Sequence, residues 1–261
     1  MRVSLIITTY NRPEALSLIF KSIETQTICP DEIIIADDGS GNATKECIDV
    51  FQRKSAIRII HSWQEDKGFR VARSRNKAIA ISCCEYIVLI DGDVILHEKF
   101  IENHVNHAEK SFFVQGPRVL LNESTTKKIV NYQNINIALF STGLKNRKNA
   151  IYSDFLSKIF LTKSNVLNGI KTCNLAFYKS DCIKVNGFNN DIEGWGREDS
   201  EFVARLLNSS ICKKNIHFNI IQFHLWHPDS SREVLQKNDL ILQKAIYSKL
   251  NWCDNGINQY L

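Results

Sequence analysis

The sequence predicts an α/β fold in which a mostly parallel sheet is flanked by helices, and three observations carry that expectation. Short β-rich apolar runs alternate with amphipathic stretches over the first hundred residues, the pattern of repeated strand–helix units. A polar cluster follows directly on three of those runs: Thr8-Thr9-Tyr10-Asn11, Asp37-Asp38-Gly39-Ser40 and Asp91-Gly92-Asp93. No internal repeat and no Pro- or Gly-rich linker divides the 261 residues, of which 44% are hydrophobic, enough for one large domain or two small ones sharing a core.

Taken in order, the strands are Val3 to Thr9, Glu32 to Ala36, Ile57 to His61 and Tyr86 to Ile90. Between the first two, Pro13 to Gln26 opens with Pro in its first turn and sets Ala15, Leu18, Ile19, Ser22 and Ile23 at helical spacing. Helices near Thr44 to Arg53 and Val71 to Ser82 follow by the same reasoning. Beyond His97 the periodicity weakens. A helix is expected from Glu98 to Lys110, and the lysine- and asparagine-rich section from Asn122 to Asn149 reads as a mobile loop able to cover an acceptor. After Pro228 the tail reads as a helix capped by Ser230 or Ser231. Val234, Leu235, Leu240, Ile241, Leu242, Ala245 and Ile246 are available for an apolar face that packs back on the body.

Several function classes lose support at once. Met1 to Tyr10 is followed immediately by polar Asn11 and Arg12, so no export signal is expected, and no apolar stretch approaches the roughly 18 residues of a membrane span. The eight cysteines are scattered without a CxxC pair, which suits small apolar fillers in a reducing compartment. A net charge of +5, spread along the chain with small clusters such as Lys145, Arg147 and Lys148, is weaker than the basic stripe of a nucleic-acid binder; it fits an anionic membrane surface or phosphate-bearing substrates. Neither GxGxxG nor GxxxxGK[ST] occurs, so dinucleotide-binding and P-loop chemistry lack their main signature.

In a parallel sheet ligands sit beyond the carboxyl ends of the strands, so the three polar clusters should converge on one crevice. Asp91-Gly92-Asp93 leaves a buried strand through a glycine turn. Its carboxylates could hold a hard cation that neutralises a diphosphate, or could be solvated acids of an ordinary Asp-Gly turn. Asp37-Asp38-Gly39-Ser40 is equally a turn and helix cap. Gly194-Trp-Gly-Arg-Glu-Asp-Ser-Glu-Phe202 places a Trp between glycines and two carboxylates at a helix start. That is either a sugar-stacking platform with a proton acceptor beside it or an acidic first turn next to a core Trp. His224-Leu-Trp-His227 can present two imidazoles on one side of a tight loop, as metal ligands or as structural histidines.

The N-terminal motifs, Ser4-Leu-Ile-Ile-Thr-Thr-Tyr-Asn-Arg-Pro13, Ile-Ile-Ala-Asp-Asp-Gly-Ser40 and Asp91-Gly-Asp93, resemble glycosyltransferase family two. The resemblance implies a GT-A fold with a Rossmann-like sheet, a C-terminal acceptor-binding part and a terminal helix. By that similarity Thr8, Tyr10 and Asn11 line the nucleotide pocket, Asp38 reads the uracil, Asp91 and Gly92 lie near the ribose, and Asp93 ligates the metal. Arg75 and Asn76, in Gly68-Phe-Arg-Val-Ala-Arg-Ser-Arg-Asn76, would approach the diphosphate and donor sugar.

The second half resembles the Trp-Gly-x-Glu-Asp module of β-1,4-galactosyltransferases and bacterial chondroitin-type polymerases, over roughly residues 170 to 230. There Asp199 matches the catalytic base, Glu198 its neighbour that hydrogen-bonds the acceptor, and Trp195 the stacking residue. Asn174, in Thr172-Cys-Asn-Leu-Ala-Phe-Tyr178, falls on the acceptor side, and His227, with His224 more loosely, joins Asp93 on Mn²⁺ or Mg²⁺. Arg197 stands where those enzymes often carry a small residue.

The resemblance thus divides one domain into a nucleotide-sugar half, 1–96, and an acceptor-binding, metal-completing half, 97–261. It implies inverting transfer of galactose or N-acetylgalactosamine from a UDP-sugar to a saccharide acceptor, lipid-linked at the inner membrane face, in cytoplasmic assembly of a bacterial capsule or lipopolysaccharide. A donor of UDP-glucose or UDP-N-acetylglucosamine, or a catalytically silent sugar-binding subunit, are the competing expectations, and the oligomeric state is left open. A glycoside hydrolase is disfavoured, since adjacent Glu198 and Asp199 cannot flank one bond.

Overall fold

The computed structural model describes residues 1–228 and 231–261. The chain begins with three strand–helix units and a fourth strand: β1 (Val3–Thr9), α1 (Pro13–Glu24), β2 (Glu32–Asp37), α2 (Asn42–Lys54), β3 (Arg58–Trp63), α3 (Val71–Ile81) and β4 (Tyr86–Asp91). There follow β5 (Val94–Leu96), α4 (Phe100–His107), β6 (Phe112–Gln115), β7 (Val119–Leu121), α5 (Glu123–Tyr132), β8 (Leu144–Lys145), α6 (Asp154–Phe160) and β9 (Thr162–Ser164). The last third holds β10 (Asn174–Tyr178), α7 (Lys179–Lys184), α8 (Glu198–Asn208), β11 (Cys212–Asn215), β12 (Gln222–His224) and α9 (Leu235–Tyr247).

One eight-stranded sheet in the order β3-β2-β1-β4-β10-β6-β11-β9 unites both halves of the sequence, and β5-β12-β7-β8 form a small second sheet. The first four strands are mutually parallel, so Thr9, Asp37 and Asp91 all end at one edge. β10 enters antiparallel beside β4, placing Asn174 opposite Ile90 at that same edge. Period-two alternation in β1 sends Val3, Leu5 and Ile7 to a core under α1, α2 and α4, and Ile6 to a second core under α3 and α8. A third core joins Ala15 and Leu18 of α1 to the small sheet through Ile95, Val119, Ile221 and Phe223. The mostly parallel, helix-flanked sheet expected from the sequence is thereby observed.

Individual elements depart from the sequence reading for local reasons. α1 stops at Glu24, two residues before Gln26, whose side chain donates to the Ser22 and His97 carbonyls instead of continuing the helix. The helix expected from Glu98 to Lys110 spans only Phe100–His107. The section from Asn122 to Asn149 is not one loop: Asn122 caps α5 by accepting the Thr125 N–H, and Leu144 and Lys145 pair with β7. The tail helix starts after Val234, so Ser231 is not its cap, and Ser230 lies outside the described residues. Its packing also differs, because Asn238 and Ala245 are its buried residues while Leu240 is 67% exposed. Of the cysteines, Cys84, Cys173, Cys182 and Cys253 are buried fillers, but Cys29 and Cys83 are exposed. Inside α8, Arg205 and Glu201 form a fully buried ion pair at 2.7 Å, four residues apart. Among the described residues no helix is long and apolar enough to cross a membrane.

Candidate active site

The ends of β1, β2 and β4 open into a cleft of about 1080 Å³. Thr8, Tyr10, Asp38, Asp91, Gly92 and Asp93 line one side; Trp195, Glu198, Asp199, His224 and His227 come to it from the second half of the chain. Most residues singled out in the sequence are therefore gathered in one place by strand topology.

Gly92 is required by close approach. A β-carbon there would collide with the Thr8 carbonyl, so only glycine lets the turn after β4 pass across the end of β1. Arg75, on the buried face of α3, spans the cleft floor: Nη2 lies 3.2 Å from Asp91 and Nη1 3.4 Å from Glu198, while Nε donates to the Thr8 hydroxyl. Asp38 is nearly buried, and each of its oxygens already accepts one bond, from the Gln64 amide at 2.6 Å and the Arg70 N–H at 2.7 Å. Burial raises its carboxyl above the ordinary range against those bonds. The Tyr10 ring is half exposed, and its hydroxyl donates to Asp66.

Asp93, His224 and His227 form a cluster whose ligand atoms lie within 4.8 Å of one another. Each histidine has Nδ1 against a backbone carbonyl, Leu225 O at 2.9 Å and Pro228 O at 2.8 Å. A carbonyl only accepts, so Nδ1 carries a proton on both rings and Nε2 is the nitrogen turned toward Asp93. Those two Nε2 atoms lie 3.4 Å from Asp93 Oδ1 and Oδ2 respectively. Oδ1 is buried without a hydrogen-bond partner, and burial raises the Asp93 carboxyl above its usual range despite the pull of His224 and Arg12. Two oriented imidazoles and an under-satisfied carboxylate are the donor set of a divalent transition metal, and backbone carbonyls holding the far nitrogens are the outer support such ligands need. The residues present fit such an ion.

Across the cleft, Gly194 and Gly196 take positive φ of 71° and 102°, and Arg197 at 79° leads into α8. This turn leaves Trp195 40% exposed on the cleft wall, with the Arg232 guanidinium 5.2 Å from its ring centre. Asn238 of α9 donates to the Glu193 and Gly196 carbonyls and so fixes the turn from behind. Glu198 and Asp199 open α8. Burial, then the neighbouring Asp199, pushes the Glu198 carboxyl to about 7, and burial likewise raises Asp199. One Asp199 oxygen accepts the Ser200 N–H at 2.6 Å, and Glu198 Oε2 is buried without a partner. Glu198 can therefore hold or release a proton near neutrality beside Asp199.

Three expected cleft residues are placed elsewhere. Asn76 is fully buried and points away, donating to the Phe188 carbonyl and accepting the Phe188 N–H, so it ties α3 to the loop before α8. Asn174 is also fully buried and donates to the Pro117 and Ile220 carbonyls, bracing the start of β10. Asn11 lies outside the cleft lining; its side chain accepts the Gly41 N–H and orders the loop. Motif membership placed these side chains near the site but could not give their direction. Conversely, Arg12, Arg118, Lys145 and Lys171 line the cleft without having been singled out for it. Arg12, 3.0 Å from Asp93, stood within the Tyr10-Asn11-Arg12-Pro13 motif, where its charge was the available signal.

Comparisons with known proteins bear on the same regions. The profile of "Glycosyl transferase family 2" matches residues 4–170, and that of "N-terminal domain of galactosyltransferase" matches residues 160–224. Hyaluronan synthase of Pasteurella multocida is 26% identical over 95% of this chain and 28% of its own length. Validoxylamine A glucosyltransferase of Streptomyces hygroscopicus subsp. limoneus is 25% identical over 78% of this chain and 47% of its own. The chain thus spans between about a quarter and a half of these relatives. The structure of S. aureus TarS 1–349 in complex with UDP superposes with a TM-score of 0.64 at 12% identity, over 100% of this chain and 68% of that one. The fold is therefore of the GT-A kind seen in that neighbour, and with both sequence motifs and more than half its length matched, the chain belongs to glycosyl transferase family 2.

Proposed function

We propose that this chain is a metal-dependent, inverting glycosyltransferase that moves galactose or N-acetylgalactosamine from a UDP-sugar to a saccharide acceptor. The observation that carries the reading is one cleft that combines the Asp93-His224-His227 cluster with the Trp195-Glu198-Asp199 platform opposite. The galactosyltransferase-type profile over residues 160–224, and a cholesterol galactosyltransferase of Borreliella burgdorferi among the relatives, favour a galactose-type donor.

In this reading residues 1–96 hold the nucleotide sugar, with Thr8, Tyr10 and Asp38 around the nucleoside and Asp91 and Gly92 at the ribose. Residues 97–261 hold the acceptor and complete the metal site. Mn²⁺ or Mg²⁺ bound by Asp93, His227 and His224 would supply positive charge against the leaving diphosphate. Arg12 and Arg75 add fixed positive charge on the same floor. The acceptor sugar stacks on Trp195, Glu198 holds one of its hydroxyls, and Asp199 takes the proton of the attacking hydroxyl. A single base favours one displacement with inversion at the anomeric carbon. A lipid-linked acceptor in capsule or lipopolysaccharide assembly at the cytoplasmic membrane face completes the proposal.

A glucose-type donor is the second reading, supported by the glucosyltransferase and a poly(ribitol-phosphate) beta-N-acetylglucosaminyltransferase among the relatives. Donor turnover decides between them: UDP release measured with each UDP-sugar, Mn²⁺ and an acceptor panel should be greatest with UDP-galactose or UDP-N-acetylgalactosamine. Faster turnover of the gluco-configured donors would replace the first reading with the second, and metal-independent turnover of all four would remove the metal from either.

A further inference from the structure

The chain's net charge of +5 is concentrated in one stretch. Residues 140–171 contain six Lys or Arg and a single acid, Asp154, so the rest of the molecule is balanced. The same stretch exposes large apolar side chains: Phe155 at 73%, Ile159 at 58% and Val166 at 58%, with Phe160 half exposed. Phe155 and Ile159 are one helical turn apart on α6 and form one stripe, with Lys158 beside it. Lys163 is paired with Glu109, but among the described residues Lys148, Lys158 and Lys171 have no ion pair.

Topology sets this surface next to the cleft. β11 runs parallel to β6, and Thr162 at the start of β9 pairs with Asn215 at the end of β11, so α6 lies at the sheet edge where β1 and β4 end. Phe218, just beyond β11, packs against Phe160 at 5.3 Å, and its carbonyl accepts the Ser153 N–H ahead of α6. The stretch also leaves and rejoins the cleft wall, since Lys145 and Lys171 both line it.

We propose that α6 and its flanks are a membrane-docking face that seats the cleft mouth on an anionic lipid surface, with Phe155 and Ile159 entering the headgroup region and Lys148 and Lys158 meeting lipid phosphates. Exposed aromatic and aliphatic side chains ringed by unpaired cations match the chemistry of such a surface, where each basic residue adds about fivefold to affinity. α9 serves as an internal contrast. It also exposes Leu240 and Tyr247, but residues 235–261 carry three Lys against two Asp, a net charge of +1 against the +5 of residues 140–171. The orientation deepens the proposed lipid-linked acceptor, yet docking itself needs no nucleotide.

The test is cosedimentation of the whole chain, without nucleotide, with vesicles of phosphatidylcholine alone or with about one third phosphatidylglycerol. Binding should require the anionic lipid and weaken with salt. Phe155→Ser with Ile159→Ser, and separately Lys148→Glu with Lys158→Glu, should each lower it at least tenfold, while Tyr247→Ser changes it little. Melting temperature and Mn²⁺-dependent UDP binding of the variants should match the parent, which separates failure of the docking face from failure of the site. Equal binding to both vesicle types, or an unchanged affinity in the patch variants, would overturn the proposal. So would a vesicle-independent dimer dispersed by Phe155→Ser, which would assign the face to a second copy.

Discussion

The guanidinium of Arg75 lies 3.4 Å from Oε1 of Glu198, joining a helix of the first half of the chain to the helix start that carries the acidic pair of the second. Its other nitrogen holds Asp91, so one side chain, 3% exposed, balances two carboxylates on opposite walls of the cleft. Arg75→Met should cost about 3 kcal/mol in urea unfolding, because it leaves both acids without their cation at a site water reaches poorly. A loss under about 0.5 kcal/mol, the size of an exposed pair, would show that the contact does not organise the cleft.

The raised carboxyl of Glu198 gives a stability signature. The folded chain keeps this proton up to about pH 7, whereas an unfolded Glu releases it near its ordinary 4.5. Between those values the native state binds more protons, so stability falls as pH rises and the full cost is present above about 7. Glu198→Gln should remove that slope and stabilise the protein at pH 8 by about 3 kcal/mol at most, with little change at pH 4. Parallel melting curves for parent and variant across this range would contradict the assignment.

Asn76 separates a structural role from the donor-binding one its motif suggested. Asn76→Ala strips partners from the Phe188 amide and carbonyl, and should cost about 2 kcal/mol while leaving UDP affinity unchanged in the protein that remains folded. A weakened UDP affinity at unchanged stability would return Asn76 to the donor site.

Asp199→Asn keeps the shape of the helix start but removes the proton acceptor. Transfer should fall by about a hundredfold to ten-thousandfold, with UDP binding retained, in a comparison of single-turnover rates and calorimetric affinity. Wild-type transfer in this variant would move the base elsewhere in the cleft.

The parallel part of the fold was legible because both faces of β1, β2 and β4 are buried. Leu5, Ile6 and Ile7 of β1 form an unbroken apolar run, and each such run ends in polar residues where the sheet edge opens. The small sheet was not, since β5, β7, β8 and β12 have two or three residues each, too few to show a period. The placement of β10 between β4 and β6 is likewise set by pairing between residues far apart in sequence. At the site, Asp93, His224 and His227 could be named together only through the resemblance, as Asp93 sits in the turn between β4 and β5 and the histidines at and beyond the end of β12, with His224 131 positions further along the chain. Asn174 shows the opposite limit: it shares the motif, but its amide is consumed by the Pro117 and Ile220 carbonyls.

The most direct measurement is calorimetric titration of UDP into the purified chain with Mn²⁺ and with chelator, repeated for Asp93→Asn and His227→Ala. Metal-dependent binding should appear in the parent and weaken by about tenfold to a hundredfold or more in both variants. UDP binding of equal strength with chelator, or variants indistinguishable from the parent, would contradict a metal held by Asp93 and the two histidines.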